Sequence, residues 1–157
     1  MSQTVVRFTE ANIVFGENPK TALPLMDQGK SREEILEQTG QVLGVHDCSL
    51  DVKQGEIVVL MGLSGSGKST LLRATNRLNP LVRGTVEVFS DGALCDLTQV
   101  SAEALRKIRC HDVSMVFQQF GLLPWRSVLE NVAFGLEVAG VPKEERLRRA
   151  TRQLETV

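Results

Sequence analysis

The segment Gly62-Leu63-Ser64-Gly65-Ser66-Gly67-Lys68-Ser69-Thr70 follows the spacing G-x-x-x-x-G-K-S, the pattern of a phosphate-binding loop (P-loop). Glycines let consecutive backbone N–H groups turn toward one concave surface, the geometry a chain of phosphates needs. Lys68 brings a mobile positive charge for the terminal phosphates, and the Ser69 hydroxyl is a hard oxygen ligand suited to Mg²⁺. The competing reading is a plain flexible Gly/Ser turn. With Gly near ~7% of residues, however, this pattern arises by chance in under about 1% of chains of this size.

Such a loop needs a strand before it and a helix after it, so that the phosphates meet a helix N-terminus. Upstream, Ile57-Val58-Val59-Leu60-Met61 is a short apolar, β-branched run that predicts a buried parallel strand. Downstream, Ser69 to Leu78 predicts a helix that Asn79-Pro80 stops. Nearer the N-terminus, Val5–Phe8 and Ile13–Gly16 read as short strands around a turn at Asn12. A connection punctuated by Pro19, Pro24 and Gly29 follows, then a capping box at Ser31 and Glu34 that opens a helix ending at Gly40. Val45–Val52 alternates like a strand and turns at Gln54-Gly55 into the P-loop strand.

Beyond the P-loop, Thr85–Phe89 predicts a strand closed by an Asp91-Gly92 turn, and Ser101 caps a helix through Leu105, Ile108 and Arg109. Val113–Phe117 is a second run of buried-strand type, leading into Gln118-Gln119-Phe120-Gly121 and the apolar loop Leu122-Leu123-Pro124-Trp125. A second capping box, Ser127 with Glu130, opens a helix that Gly140 ends, and Pro142 opens a last one.

Composition narrows the class. The chain has 157 residues, 42% hydrophobic and 24% charged, with a formal net charge of −1, which is ordinary for a globular domain and gives no basicity that points to nucleic acid. The basic run Arg146, Arg148, Arg149 and Arg152 follows Glu144 and Glu145 and reads as a solvated helix face. Cys48, Cys95 and Cys110 are widely spaced, and with His46 and His111 they form no metal-ligand spacing, so a reducing compartment is expected. No apolar run approaches the ~18 residues of a membrane span, and the N-terminus carries no signal pattern.

Taken together, Leu60–Arg73, Met115–Trp125 and Val128-Leu129-Glu130-Asn131-Val132 resemble the ATP-binding subunit of an ABC transporter. Within that family, 17–44, with Ser31–Glu37 and Leu43-Gly44-Val45, resembles the helical insertion of importers for quaternary amines of the choline and glycine betaine class. The resemblance implies an α/β fold: a P-loop NTPase core with an N-terminal antiparallel β region and the start of an α-helical subdomain, incomplete at this length. Its parts would be the insertion at 17–44, a P-loop unit at 56–78, a glutamine-loop strand and loop at 113–125, and the helical start at 127–157.

The same resemblance implies the site: Gly62, Ser64, Gly65, Ser66, Gly67, Lys68, Ser69 and Thr70 around the phosphates of ATP, with Ser69 and Gln118 on Mg²⁺. Lys68 and Gln118 would serve catalysis, Gln118 beside the attacking water, and Phe15 would stack on adenine, although a core phenylalanine is its plain alternative. Leu122, Leu123, Pro124 and Trp125 would face a transmembrane permease, and a second copy of the subunit would complete the ATP site. The protein would then be cytoplasmic, peripheral on the inner face of the plasma membrane. The chain shows no Leu-Ser-Gly-Gly-Gln signature, no apolar strand ending in Asp-Glu and no switch histidine, so these residues are expected to bind nucleotide better than they hydrolyse it. A truncated non-catalytic nucleotide-binding fragment is the alternative, and a small-molecule P-loop kinase, which leaves 118–125 unexplained, ranks third.

Overall fold

The computed structural model describes residues 2–119 and 121–157. They form two compact units, Met1–Val113 and Ser114–Val157.

The first unit is built on a four-stranded sheet in the order β2-β1-β3-β4, each neighbouring pair antiparallel. The strands are β1 (Thr4–Phe15), β2 (Val42–Lys53), β3 (Arg83–Ser90) and β4 (Ala93–Asp96). The residues expected to form two short strands around an Asn12 turn are one continuous strand. Asn12 is fully buried: its Nδ2 donates to Glu10 O at 2.6 Å and its Oδ1 accepts from Asp47 N at 3.0 Å. Glu10 and Asp47 both have φ of 46°, and the β1–β2 register shifts between Phe8 and Ala11 and again before Ile13. Each is the left-handed residue of a bulge, and one amide side chain joins the two. The β3–β4 hairpin turns at Asp91 and Gly92, both with positive φ, as the Asp-Gly pair predicts.

One face of the sheet carries the main core: Phe8, Ile13, Val45, Val86 and Val88 pack with Leu71 and Ala74, which follow the P-loop, and with Leu97 and Ile108. Ile108 lies on α4 (Ala102–His111), capped by Ser101 Oγ accepting from Ala104 N. A second cluster joins Val14 and Leu43 to Ala22, Met26 and Ile35. The last three belong to a helical 3-10 turn at Pro19–Ala22, to α1 (Leu23–Asp27) and to α2 (Arg32–Thr39). The stretch read as a Pro/Gly connection is therefore partly helical, because Pro19 and Pro24 each sit in the first turn of a helical segment, where their missing N–H costs nothing. The capping box of α2 is present, and Gly40 ends it in the left-handed conformation. Lys30 and the Ser31 N–H both bond the Glu34 carboxylate and hold it below its usual range.

Two expectations fail in the same way. Ile57–Met61 and Val113–Phe117 are not strands; among the described residues neither lies in a ladder, and Ile57 and Val59 are 92% and 71% exposed. A buried parallel strand exists only through its neighbours, and none of the four strands pairs with either run.

The second unit packs α5 (Val128–Val138) against α6 (Lys143–Leu154). Ser127 and Glu130 form the expected capping box, and Pro142 stands immediately before α6. Asn131, on the first turn of α5, clamps the preceding loop: its side chain bonds Leu123 N at 2.8 Å, Leu123 O at 3.1 Å and Arg126 O at 3.1 Å. Arg126 adds an ion pair to Glu137 at 2.8 Å and lies over the Phe134 ring.

Candidate nucleotide site

The P-loop spans 62–67 and runs directly into α3 (Lys68–Leu72). Gly67 is the residue before the helix, at φ 93°, and its carbonyl accepts the first helical bond from Leu71 N at 2.8 Å. A Cβ at position 67 would collide with the Gly44 carbonyl, so only glycine permits both the turn and the approach to β2. The N–H groups of Lys68, Ser69 and Thr70 have no carbonyl of their own helix to bond, as in any first turn.

Lys68 folds its side chain back into the loop. Its Nζ donates to Leu63 O at 2.7 Å, Gly62 O at 2.9 Å and Ser66 Oγ at 3.2 Å. The ammonium is thus held by the loop's own acceptors. Ser66 N donates to Leu63 O at 3.3 Å and closes the turn. The Ser69 side chain is exposed. After Leu72 the helix tightens into a 3-10 turn, Arg73–Asn76, and stops at Arg77 in the left-handed conformation, two residues before the expected Asn79-Pro80 boundary. Thr75 Oγ1 donates back to Leu72 O, and Asn76 Oδ1 takes Leu78 N, so local side chains compete with the helix ladder there.

Phe15 ends β1 at 39% exposure, with its ring edge at Gly44, next to Thr70 of the P-loop helix. The ring is thus on the surface beside the phosphate loop, not in the core. Gln118 lies in the second unit, exposed at a bend with Gln119; Phe120 falls outside the described residues. Trp125 and Leu122 are 77% and 67% exposed.

Two residues with structural reach were not singled out by pattern. Asn131 clamps the apolar loop, and Arg32 extends from α2 to the P-loop, its Nη1 donating to Gly65 O at 3.0 Å. A long polar side chain bonding a distant carbonyl leaves no periodic signal in a sequence.

A glycine loop running into a helix, with its lysine bonded back to the loop, stands beside an antiparallel sheet and an exposed aromatic. The family model for ABC transporters matches residues 45–157, and the chain belongs to that family. It is 49% identical over 92% of its length to the glycine betaine/proline betaine transport system ATP-binding protein ProV of Escherichia coli K12. It is 42% identical over 97% of its length to the glycine betaine transport ATP-binding protein OpuAA of Bacillus subtilis. In both cases it covers 35% of the relative, so the chain spans about a third of the length of the curated relatives it matches. Among solved structures it is similar to the ATP-binding cassette MJ0796, in a dimeric post-hydrolysis state bound to ADP and Pi, with a TM-score of 0.71 and 27% identity over 96% of this chain and 56% of that one. No helix among the described residues is long and apolar enough to cross a membrane.

Proposed function

We propose that this chain forms the phosphate- and adenine-binding part of an ATP-binding subunit that energises ABC-type import of a quaternary amine of the glycine betaine class. The observation that carries the reading is the Lys68 ammonium, held by the carbonyls of a glycine loop at the start of a helix. The donor set suits Mg-ATP. Backbone N–H groups of Lys68, Ser69 and Thr70, with the Lys68 ammonium, would hold the phosphates, Ser69 would bind Mg²⁺, a role the family resemblance also gives Gln118, and Phe15 would stack on the base. Mg²⁺ supplies neutralisation of phosphate charge when bound. The betaine importers among the relatives support the substrate class, and the dimeric cassette supports a second copy as partner. The exposed Leu122–Trp125 loop, stiffened by Asn131, is the surface proposed for a permease on the cytoplasmic side of the membrane.

A titration of Mg-ATP into the purified chain, followed by calorimetry, tests the reading; absence of saturable binding would reject it. Phe15→Ala is expected to weaken ATP binding by roughly 5- to 150-fold, the range of base–aromatic stacking, while Mg-tripolyphosphate, which has no base, binds both proteins equally. Equal loss for both ligands would mean that Phe15 shapes the loop and does not hold adenine. Residues 1–157 by themselves are expected to bind ATP without turnover above background, because a P-loop and Mg²⁺ supply only part of the charge stabilisation that phosphoryl transfer needs. A phosphate-release assay that found turnover abolished by Lys68→Ala would contradict this.

A further inference from the structure

We propose that Arg32, in the inserted helix, is a positioning residue for the phosphate loop, and that the insertion acts on nucleotide binding through it. The proposal rests on the nucleotide-binding reading above. Arg32 occupies the first position of α2, fixed by the Ser31–Glu34 capping box on one side and by the buried Ile35 on the other. From there its guanidinium forks across two backbone carbonyls: Nη1 donates to Gly65 O at 3.0 Å and Nη2 to Gly44 O at 3.3 Å. Gly65 belongs to the crown of the P-loop. Gly44 belongs to β2, and its carbonyl is the one against which Gly67 packs. One side chain thus ties the outer wall of the loop to the strand on which the loop rests.

The peptide plane gives this contact a function. The Gly65 carbonyl and the Ser66 N–H belong to one trans peptide unit and point in opposite directions. Arg32 holds the oxygen at 3.0 Å, and Leu63 O receives the Ser66 N–H at 3.3 Å. Fixing the oxygen therefore fixes the direction of the Ser66 N–H and the turn bond it makes to Leu63 O. Lys68 also braces the loop, through Gly62 O, Leu63 O and Ser66 Oγ, but these bonds compete with its bonds to phosphate. Arg32 braces the loop through its own bonds to Gly65 O and Gly44 O, which do not draw on the Lys68 ammonium. A planar fork suits two carbonyls at once; a lysine at the same place would keep the charge and lose the second bond.

The test compares wild type, Arg32→Ala and Arg32→Lys in calorimetric titrations with Mg-ATP, together with amide hydrogen exchange without nucleotide. Arg32→Ala is expected to weaken Mg-ATP about tenfold, and Arg32→Lys to recover only part of the loss. The Ser66 amide exchanges faster in both variants, whereas the Ile35 amide, bonded to Ser31 O at 3.0 Å within α2, keeps its protection. Unchanged affinity in Arg32→Ala overturns the proposal, as does full recovery in Arg32→Lys, which would mark a long-range charge effect. Equal loosening of Ile35 and Ser66 also overturns it, since the helix itself would then have come undone. Should wild type not bind Mg-ATP, the nucleotide reading falls, while the exchange of Ser66 still decides whether Arg32 braces the loop.

Discussion

Lys68→Ala is expected to remove half or more of the rise in thermal midpoint that Mg-ATP produces in the wild-type chain. A ligand held at a hundred times its dissociation constant stabilises the folded state by ~2.7 kcal/mol, which for a chain of this size is a rise of about 5–10 °C. The Lys68 ammonium already lies within the loop, bonded to two carbonyls and a hydroxyl, so it need only exchange those acceptors for phosphate oxygens. Hydrogen bonds from a charged donor contribute about 1.5–3 kcal/mol. Losing that much lowers affinity by roughly 10- to 150-fold, and the shift at the same Mg-ATP concentration shrinks to about 1–5 °C. Differential scanning fluorimetry of the two proteins with and without Mg-ATP measures it directly. Equal shifts would remove Lys68 from the site.

Asn12→Ala is expected to cost about 3 kcal/mol of folding stability, read as a lower urea midpoint at unchanged slope. The cost has two sources. Asn12 is wholly buried, and truncation removes its bonds to Glu10 O and Asp47 N, each contributing about 0.5–1.5 kcal/mol net. Both partners also belong to left-handed bulge residues, a conformation that non-glycine residues hold only when their surroundings impose it. Asn12→Asp separates these causes from mere loss of volume. A carboxylate still accepts from Asp47 N, but it sets a second acceptor against Glu10 O, so at neutral pH it is expected to destabilise at least as much as alanine. Acidification should narrow the deficit, because a protonated carboxyl donates to Glu10 O again. A neutral-pH midpoint equal to wild type in Asn12→Asp would show that the amide does not hold the bulges.

The phosphate loop and the three serine-capped helices were legible because their signals are local. Gly67 must take a positive φ wherever the motif occurs, and Ser31, Ser101 and Ser127 each satisfy an N–H three residues ahead. The family, too, followed from short motifs at fixed spacing, as the match over 45–157 bears out. Asn12 misled for the same reason. An asparagine between two apolar runs has the local signature of a turn, and only the burial of its amide between two strands made the segment one strand. Ile57–Met61 and Val113–Phe117 have the composition of strands, yet a strand is a relation between segments, and composition names no partner.

The amino-acid sequence by itself determined the glycine-loop motif, the three serine-capped helix starts and the family, because each depends on residues a few positions apart whose backbone or caps admit one conformation. Tertiary structure alone decided that β1 runs unbroken through Asn12, that Phe15 stands exposed beside Gly44, and that Arg32 reaches the Gly65 carbonyl. Those facts join residues distant in the chain, and their energies come from burial and from hydrogen bonds that exist only once the sheet has brought the partners together.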